Sequence, residues 1–208
     1  MIQFPEGPVS FDKFLEWYPD RSGVHYELHR GVIIEKPNPS GKHSEIAGFL
    51  VLPIGMMIRQ LELGYFMPKD CVVKADEGES AYEPDGIVLD IHKVANEPNW
   101  ENFSAVEHCK TIKLIIEVAE TNWHDDYYMK FSAYEALGIS EYWIVDYAAL
   151  GARRFLGNPK QPTLWVCELI DEEYQMNPFR GNDRIISPTF PDLQLTAAQV
   201  FQASTIST

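Results

Sequence analysis

The chain has 208 residues, 45% hydrophobic and 23% charged, proportions of a globular protein long enough to bury a sizeable core in one domain. Seventeen Lys and Arg stand against 31 Asp and Glu, and the net charge of −14 argues against sequence-independent DNA binding by a free monomer, which rests on a basic excess. No apolar run approaches the roughly 18 residues of a membrane span, the opening MIQFPEGPVSFDKF lacks a signal-peptide pattern, and Cys71, Cys109 and Cys167 form neither a disulfide framework nor a zinc pair, so the cytoplasm is the expected compartment.

From its start, VSFDKFLEWYP predicts a short helix with Ser10 as N-cap and Pro19 just past its end. GVHYELHRGVIIEKP alternates on both sides of Arg30-Gly31, the pattern of a β-hairpin. GKHSEIAGFLVLPIGMMIRQLELG has helical spacing from His43 to Glu62 with Gly64 as a stop, and Pro53 inside it predicts a kink or a break. YFMPKDCVVKAD, PDGIVLDI and TIKLIIEVAE follow as strands. DDYYMKFSAYEALG then reads as a helix that starts on aspartates and stops at Gly138. SEYWIVDY, GARRFLG, TLWVCELI and EYQMNPF are further strands, mostly hairpin-connected, and DRIISPTFPDLQLTAAQVFQ ends in a strand, a turn and a short helix. A strand–helix–strand unit among hairpins predicts an α/β (α+β mixed) fold, a central mixed β-sheet flanked by helices, in a single domain over 1–208.

The stretch LIIEVAE poses a chemical problem. Ile112, Leu114, Ile116 and Val118 alternate onto one face, and Lys113, Ile115, Glu117 and Ala119 onto the other. A carboxylate at the centre of so apolar a strand is costly without a basic partner or a cation, unless the strand is less buried than its composition suggests. Asp85, at the start of its strand directly after Pro84, is a second carboxylate that a neighbouring strand can bring to Glu117. Two such groups suit one hard cation that also takes water and phosphate oxygens. The alternative is that Asp85 caps a turn and Glu117 pairs with a structural Lys or Arg. In the following helix Lys130 falls inside the apolar face of Tyr127, Phe131, Ala133, Tyr134 and Leu137, which directs it at the sheet with Glu117 as candidate partner. A local i,i+4 pair of Asp126 and Lys130 is the competing explanation.

EPDGIVLD, LIIEVAETNWHDDYYMKFSAYEALGISEYWIVD and RIISPTFPDLQLTAAQVF, in this order and spacing, resemble the Uma-type family of restriction endonucleases in the PD-(D/E)XK nuclease superfamily. The resemblance runs from YELHRGVIIEKPNPSGKHSEIAGFL to Phe201. Asp85 matches the family's PD aspartate, Glu117 its E-x-V glutamate and Lys130 the lysine of its helix, while Glu27 matches the acidic residue of the hairpin and His43 the histidine that opens the next helix. The resemblance implies a restriction-endonuclease-like fold with its core over 40–147, a site at one sheet edge, and Mg²⁺- or Mn²⁺-dependent phosphodiester hydrolysis. On that scheme Asp85 and Glu117 ligate the metal, and Lys130 orients the attacking water or stabilises the transition state. Glu27 completes the metal shell or acts through a bridging water, and His43 is either catalytic or a structural hydrogen-bonding residue. Ala119 stands where the wider superfamily often has its lysine. Glu120 stands where the family commonly has serine, and it either weakens phosphate binding or points away.

The expected function is therefore a metal-dependent DNA endonuclease of restriction type, acting as a homodimer. The alternatives are a non-catalytic protein-interaction module that keeps the nuclease fold and a hydrolase of another phosphate ester. A local basic groove requires Lys69, Lys74, Lys110, Lys113, Arg153 and Arg154 to cluster. His25 and His29 read as surface or packing residues, Arg153-Arg154 as a solvated strand edge or a phosphate contact, and Trp143 as core.

Overall fold

The computed structural model describes residues 4–19, 23–75 and 79–203. In chain order come α1 (Phe11–Trp17), β1 (Tyr26–His29), β2 (Val32–Glu35), α2 (Gly41–Gln60), β3 (Tyr65–Phe66), β4 (Val72–Lys74), β5 (Ala81–Tyr82) and β6 (Gly86–Asp90). The single-turn helices α3 (Ile91–Val94) and α4 (Trp100–Phe103), then β7 (Ala105–Val106) and β8 (Ile112–Val118), lead to α5 (Lys130–Leu137) and β9 (Glu141–Asp146). The short helix α6 (Arg153–Leu156), β10 (Thr163–Ile170), β11 (Glu173–Phe179) and α7 (Ala197–Phe201) complete the chain.

The strands form two mixed sheets rather than one central sheet. The first has the order β2-β1-β5-β4-β7 and the second β11-β10-β9-β8-β6-β3. Each has one parallel pair, β4–β7 and β8–β9. The β8–β9 pair is parallel because α5 carries the chain back across the sheet. The hairpin β1–β2 turns at Arg30 and Gly31, both at positive φ (51° and 81°), the requirement of a type I′ turn.

Three apolar layers hold these parts together. Leu114, Ile116 and Val118 face α2, meeting Ile46, Leu50, Ile54 and Ile58. Ile115 and Ala119 face the other way, toward Tyr134 of α5 and Val73, Tyr82 and Val106 of the first sheet. Phe11, Phe14 and Leu15 of α1 close the outer side of the first sheet over Tyr26 and Leu28. Trp143 is fully buried, as its apolar run predicts. No helix among the described residues is long and apolar enough to cross a membrane.

Local structure corrects several expectations. Helix α2 runs unbroken through Pro53 and ends at Gln60: one proline removes one backbone bond, while buried residues on both sides of it clamp the helix to the sheet. Ile112 packs with Ile115, not with Leu114, because the β6–β8 register shifts between Val88 and Leu89 and leaves Lys113 as a bulged residue. GARRFLG contains α6 instead of a strand, with Phe155 against Tyr127 and the Arg154 guanidinium 4.8 Å from the Tyr128 and Phe155 rings. Near the C-terminus the expected strand is reduced to a lone bridge between Arg184 and Thr196. Thr196 then caps α7 in a capping box with Gln199.

Candidate active site

Where the two sheets and α5 meet, a cleft of about 220 Å³ opens. In the antiparallel β6–β8 ladder Gly86 pairs with Ile116 and Ile87 with Ile115. Continued by one residue, this register sets Asp85 opposite Glu117, and directly opposed side chains have Cβ atoms about 4.5–5.5 Å apart. Asp85 Oδ2 accepts the Val118 amide hydrogen at 2.8 Å and lies 2.9 Å from His43 Nε2. His43 comes from the first turn of α2, whose N-cap is Ser40.

Glu117 is enclosed and faces α5. Its Oε1 lies 3.0 Å from Lys130 Nζ and accepts the Tyr134 hydroxyl at 3.1 Å. Lys130 also contacts Glu27 Oε1 at 3.1 Å and Asp126 Oδ1 at 3.8 Å. Both partners considered for Lys130 are thus present, with Glu117 the closer. The turn before α5 explains how this happens: residues Asp125–Met129 form a π-helical turn, a wider coil common at functional sites. The i,i+4 pair is buried with the rest of the cluster, not solvated on a helix surface.

Glu27 arrives from the first sheet. Tyr26 and Leu28 point to α1, so Glu27 points to the cleft by strand alternation. Its Oε2 lies 3.0 Å from His29 Nε2 and its Oε1 accepts the Glu83 amide hydrogen. Lys36, just past β2, donates to the Glu83 carbonyl at 2.6 Å and lies 3.7 Å from both Glu27 Oε1 and Asp85 Oδ1.

Four carboxylates (Glu27, Asp85, Glu117, Asp126) therefore share two ammonium groups. Burial raises the Glu117 pKa against the pull of Lys130, and with Asp85 opposite the result is about 7. Burial likewise holds Asp126 well above the usual carboxylate range, with Lys130 opposing and Glu117 adding to the rise. Burial also disfavours charge on Asp85, but the His43 bond and Lys36 outweigh it and its pKa falls. Glu27 falls too, since Lys130 and His29 overcome its burial. Lys130 itself stays charged: burial opposes this, and Glu117, Glu27 and Asp126 override it.

A family model described as "Uma2: Putative restriction endonuclease" matches residues 11–198. The chain belongs to this family. Among solved structures it is similar to a protein from Anabaena variabilis ATCC 29413 described as "a putative nuclease belonging to DUF820". The likeness has a TM-score of 0.66 at 20% identity, covering 94% of this chain and 99% of that one, and it is a likeness of fold. No curated protein matches the chain in sequence.

For a Uma2 chain the question is whether these residues fit a divalent cation. Among the described residues no three His, Cys, Asp or Glu side chains are arranged to hold a metal by themselves. Lys130 and His43 occupy part of the carboxylates' bonding capacity. Two carboxylates lining one cleft, with an excess of negative charge around them, nevertheless match the way Mg²⁺ binds, through one or two carboxylates plus waters and substrate phosphate. The carboxylate pair fits Mg²⁺ or Mn²⁺, and two histidines of the cleft are engaged with its carboxylates, His43 with Asp85 and His29 with Glu27.

The five residues singled out from the sequence all line this cleft. Glu120, left open there, accepts hydrogen bonds from Ser40 Oγ at 2.5 Å and Ser40 N at 3.2 Å, so it ties the end of β8 to the start of α2. Sequence reasoning passed over Lys36, Asp126, Tyr134 and His29 as site residues. Only the burial of Asp126 beside Lys130 had a sequence signal, their shared helical face. The six basic residues do not cluster. Lys69, exposed beside Asp70, is the one of them that lines the cleft, whereas Lys74 pairs with Glu107, Lys113 with Asp90, and Arg154 stacks on aromatic rings.

Proposed function

We propose that the protein is a divalent-cation-dependent endonuclease hydrolysing DNA phosphodiester bonds, with Mg²⁺ or Mn²⁺ held by Asp85 and Glu117. The observation that carries this reading is the meeting of Asp85, Glu117 and Lys130 in one cleft, two carboxylates on adjacent strands and an ammonium bonded to one of them. When bound, the cation supplies Lewis acidity toward the scissile phosphate and the attacking water.

The rest of the chemistry belongs to the side chains. Lys130, kept charged on Glu117 and Glu27, offers a donor to a phosphate oxygen or a water. Glu27 and Asp126 hold that ammonium in place, and His43 orients the Asp85 carboxylate through Nε2. Lys36 adds a second positive charge near Asp85. Membership of a family described as restriction endonucleases supports DNA as the substrate. The reading includes pairing of two chains, which presents one site to each strand of a duplex.

Purified protein should nick plasmid DNA with Mg²⁺ or Mn²⁺, and Asp85→Ala or Glu117→Ala should reduce cleavage to background. Undiminished cleavage by either variant overturns the reading, and a panel of other phosphate esters tests the choice of DNA. The net charge of −14 favours a second reading, a non-catalytic module that binds a basic protein. Mn²⁺ calorimetry separates the two, because the enzyme's binding depends on Asp85 and the module's does not.

A further inference from the structure

Helix α2 buries His43, Ile46, Leu50, Ile54 and Ile58. At about 100° per residue, the opposite face is made of Glu45, Gly48, Leu52, Gly55, Met56 and Arg59. Such an outward face is ordinarily polar. Here Leu52 is 66% exposed and Met56 51%, with Val51 at 45% on their flank. Among the described residues a Cβ on Gly48 or Gly55 meets nothing within 4 Å, and neither glycine has a positive φ, so neither packing against those residues nor the backbone requires them. Each costs the helix up to about 1 kcal/mol relative to alanine.

We propose that this face docks a second copy of the same chain, α2 against α2, in an antiparallel two-fold pair centred on Leu52. The face's own symmetry selects the occupant. Gly48 and Met56 lie equally far before and after Leu52, and so do Glu45 and Arg59. An antiparallel two-fold pair therefore sets Leu52 against the partner's Leu52 and Met56 at the height of the partner's Gly48. It also sets Glu45 at the height of the partner's Arg59. The charges complement one another only in this direction, since a parallel pair sets like charges together. The spaces at Gly48 and Gly55 let the two backbones approach closely where the bulky residues need room.

This inference rests on the homodimer reading and gives it a surface, without depending on whether the cleft cuts DNA. It also places the two clefts. His43 lies nine residues before Leu52, so the two histidines that hold Asp85 stand about 27 Å apart along the paired helices.

Sedimentation velocity on the full chain over a wide concentration range tests it. Wild type should reach twice 23.8 kDa. Leu52→Asp, which sets two charges together at the centre, and Gly48→Leu, which fills the space for Met56, should each weaken dimerisation by about tenfold or more. Gly48→Leu should leave helix content by circular dichroism unchanged, because its position is open among the described residues of the single chain. Glu45→Arg and Arg59→Glu should each weaken the dimer, and the double swap should restore it. A wild-type monomer at all concentrations overturns the surface and the homodimer reading together. A dimer indifferent to Leu52→Asp and Gly48→Leu overturns the surface alone, and a double swap that fails to recover overturns the antiparallel register.

Discussion

Lys130 Nζ lies 3.0 Å from Glu117 Oε1, and both side chains are enclosed. The carboxylate sits on the central strand β8 and the ammonium on the helix that follows, so strand and helix are joined by a buried charge pair as well as by apolar packing. Removing one partner deprives the other of its closest counter-charge in a low-dielectric interior, whereas removing both removes the need for that pairing.

Lys130→Met should therefore cost about 3–5 kcal/mol of stability, as breaking a buried ion pair does elsewhere. The double variant Lys130→Met/Glu117→Gln should recover part of that loss, and urea unfolding of the four proteins in the cycle measures it. Strictly additive losses would mean that the two side chains do not interact. DNA cleavage should be lost in both single variants regardless.

Cation binding should depend on pH. With Glu117 at about 7, a divalent ion competes with a proton for this carboxylate, so Mn²⁺ affinity should rise with pH up to about 7 and level off above it. The same raised pKa makes Glu117 a stabilising group below its ordinary value, and that contribution fades as pH climbs toward 7. Glu27 acts in the opposite sense: its pKa is lowered, so its stabilisation is present above the ordinary carboxylate value and is lost only as pH falls through the depressed one. The Tyr134 hydroxyl donates to the charged form of Glu117, so Tyr134→Phe should move the Mn²⁺ binding midpoint to higher pH. Calorimetric titration across this range is the check, and a flat profile in wild type would contradict the proton competition.

Glu120→Ala should act on stability instead of chemistry. It deletes two hydrogen bonds to Ser40, the N-cap of α2, and should cost about 1 kcal/mol in thermal or urea unfolding. DNA cleavage should persist at a comparable level. A variant with unchanged stability but altered cleavage would assign Glu120 to the phosphate path.

The second sheet and its helices were largely legible in the sequence, because alternation and helical spacing act over short stretches. Glu117 and Lys130 were legible as candidates because each is a polar residue on an otherwise apolar face, and Asp85 because it opens a strand directly after Pro84 in a stretch that carries the family resemblance. Lys36 and His29 were not, since they reach the cleft only because the first sheet folds over it, and no local pattern encodes that approach. Tyr134 was read as packing; its ring does pack in the core, and only the hydroxyl position reveals its bond to Glu117. The face of Ile112 was misread because one bulged residue reverses alternation, a change set by pairing with β6 and invisible within β8 itself.

Glu27 and Lys36 belong to the hairpin of the first sheet, whereas Asp85 and Glu117 belong to β6, β8 and their margin in the second. No single supersecondary unit owns the site. A ligand bound at Asp85 and Glu117 alters the charge that Lys36 and Lys130 see, and through them the attachment of Glu27. By thermodynamic linkage, a change in ligand affinity that accompanies loosening of the hairpin's seat is matched by an equal change in the free energy of that loosening when the ligand is bound. The cleft is thus a clasp between the two sheets, and the grip of the amino-terminal hairpin can serve as the gauge of what binds there.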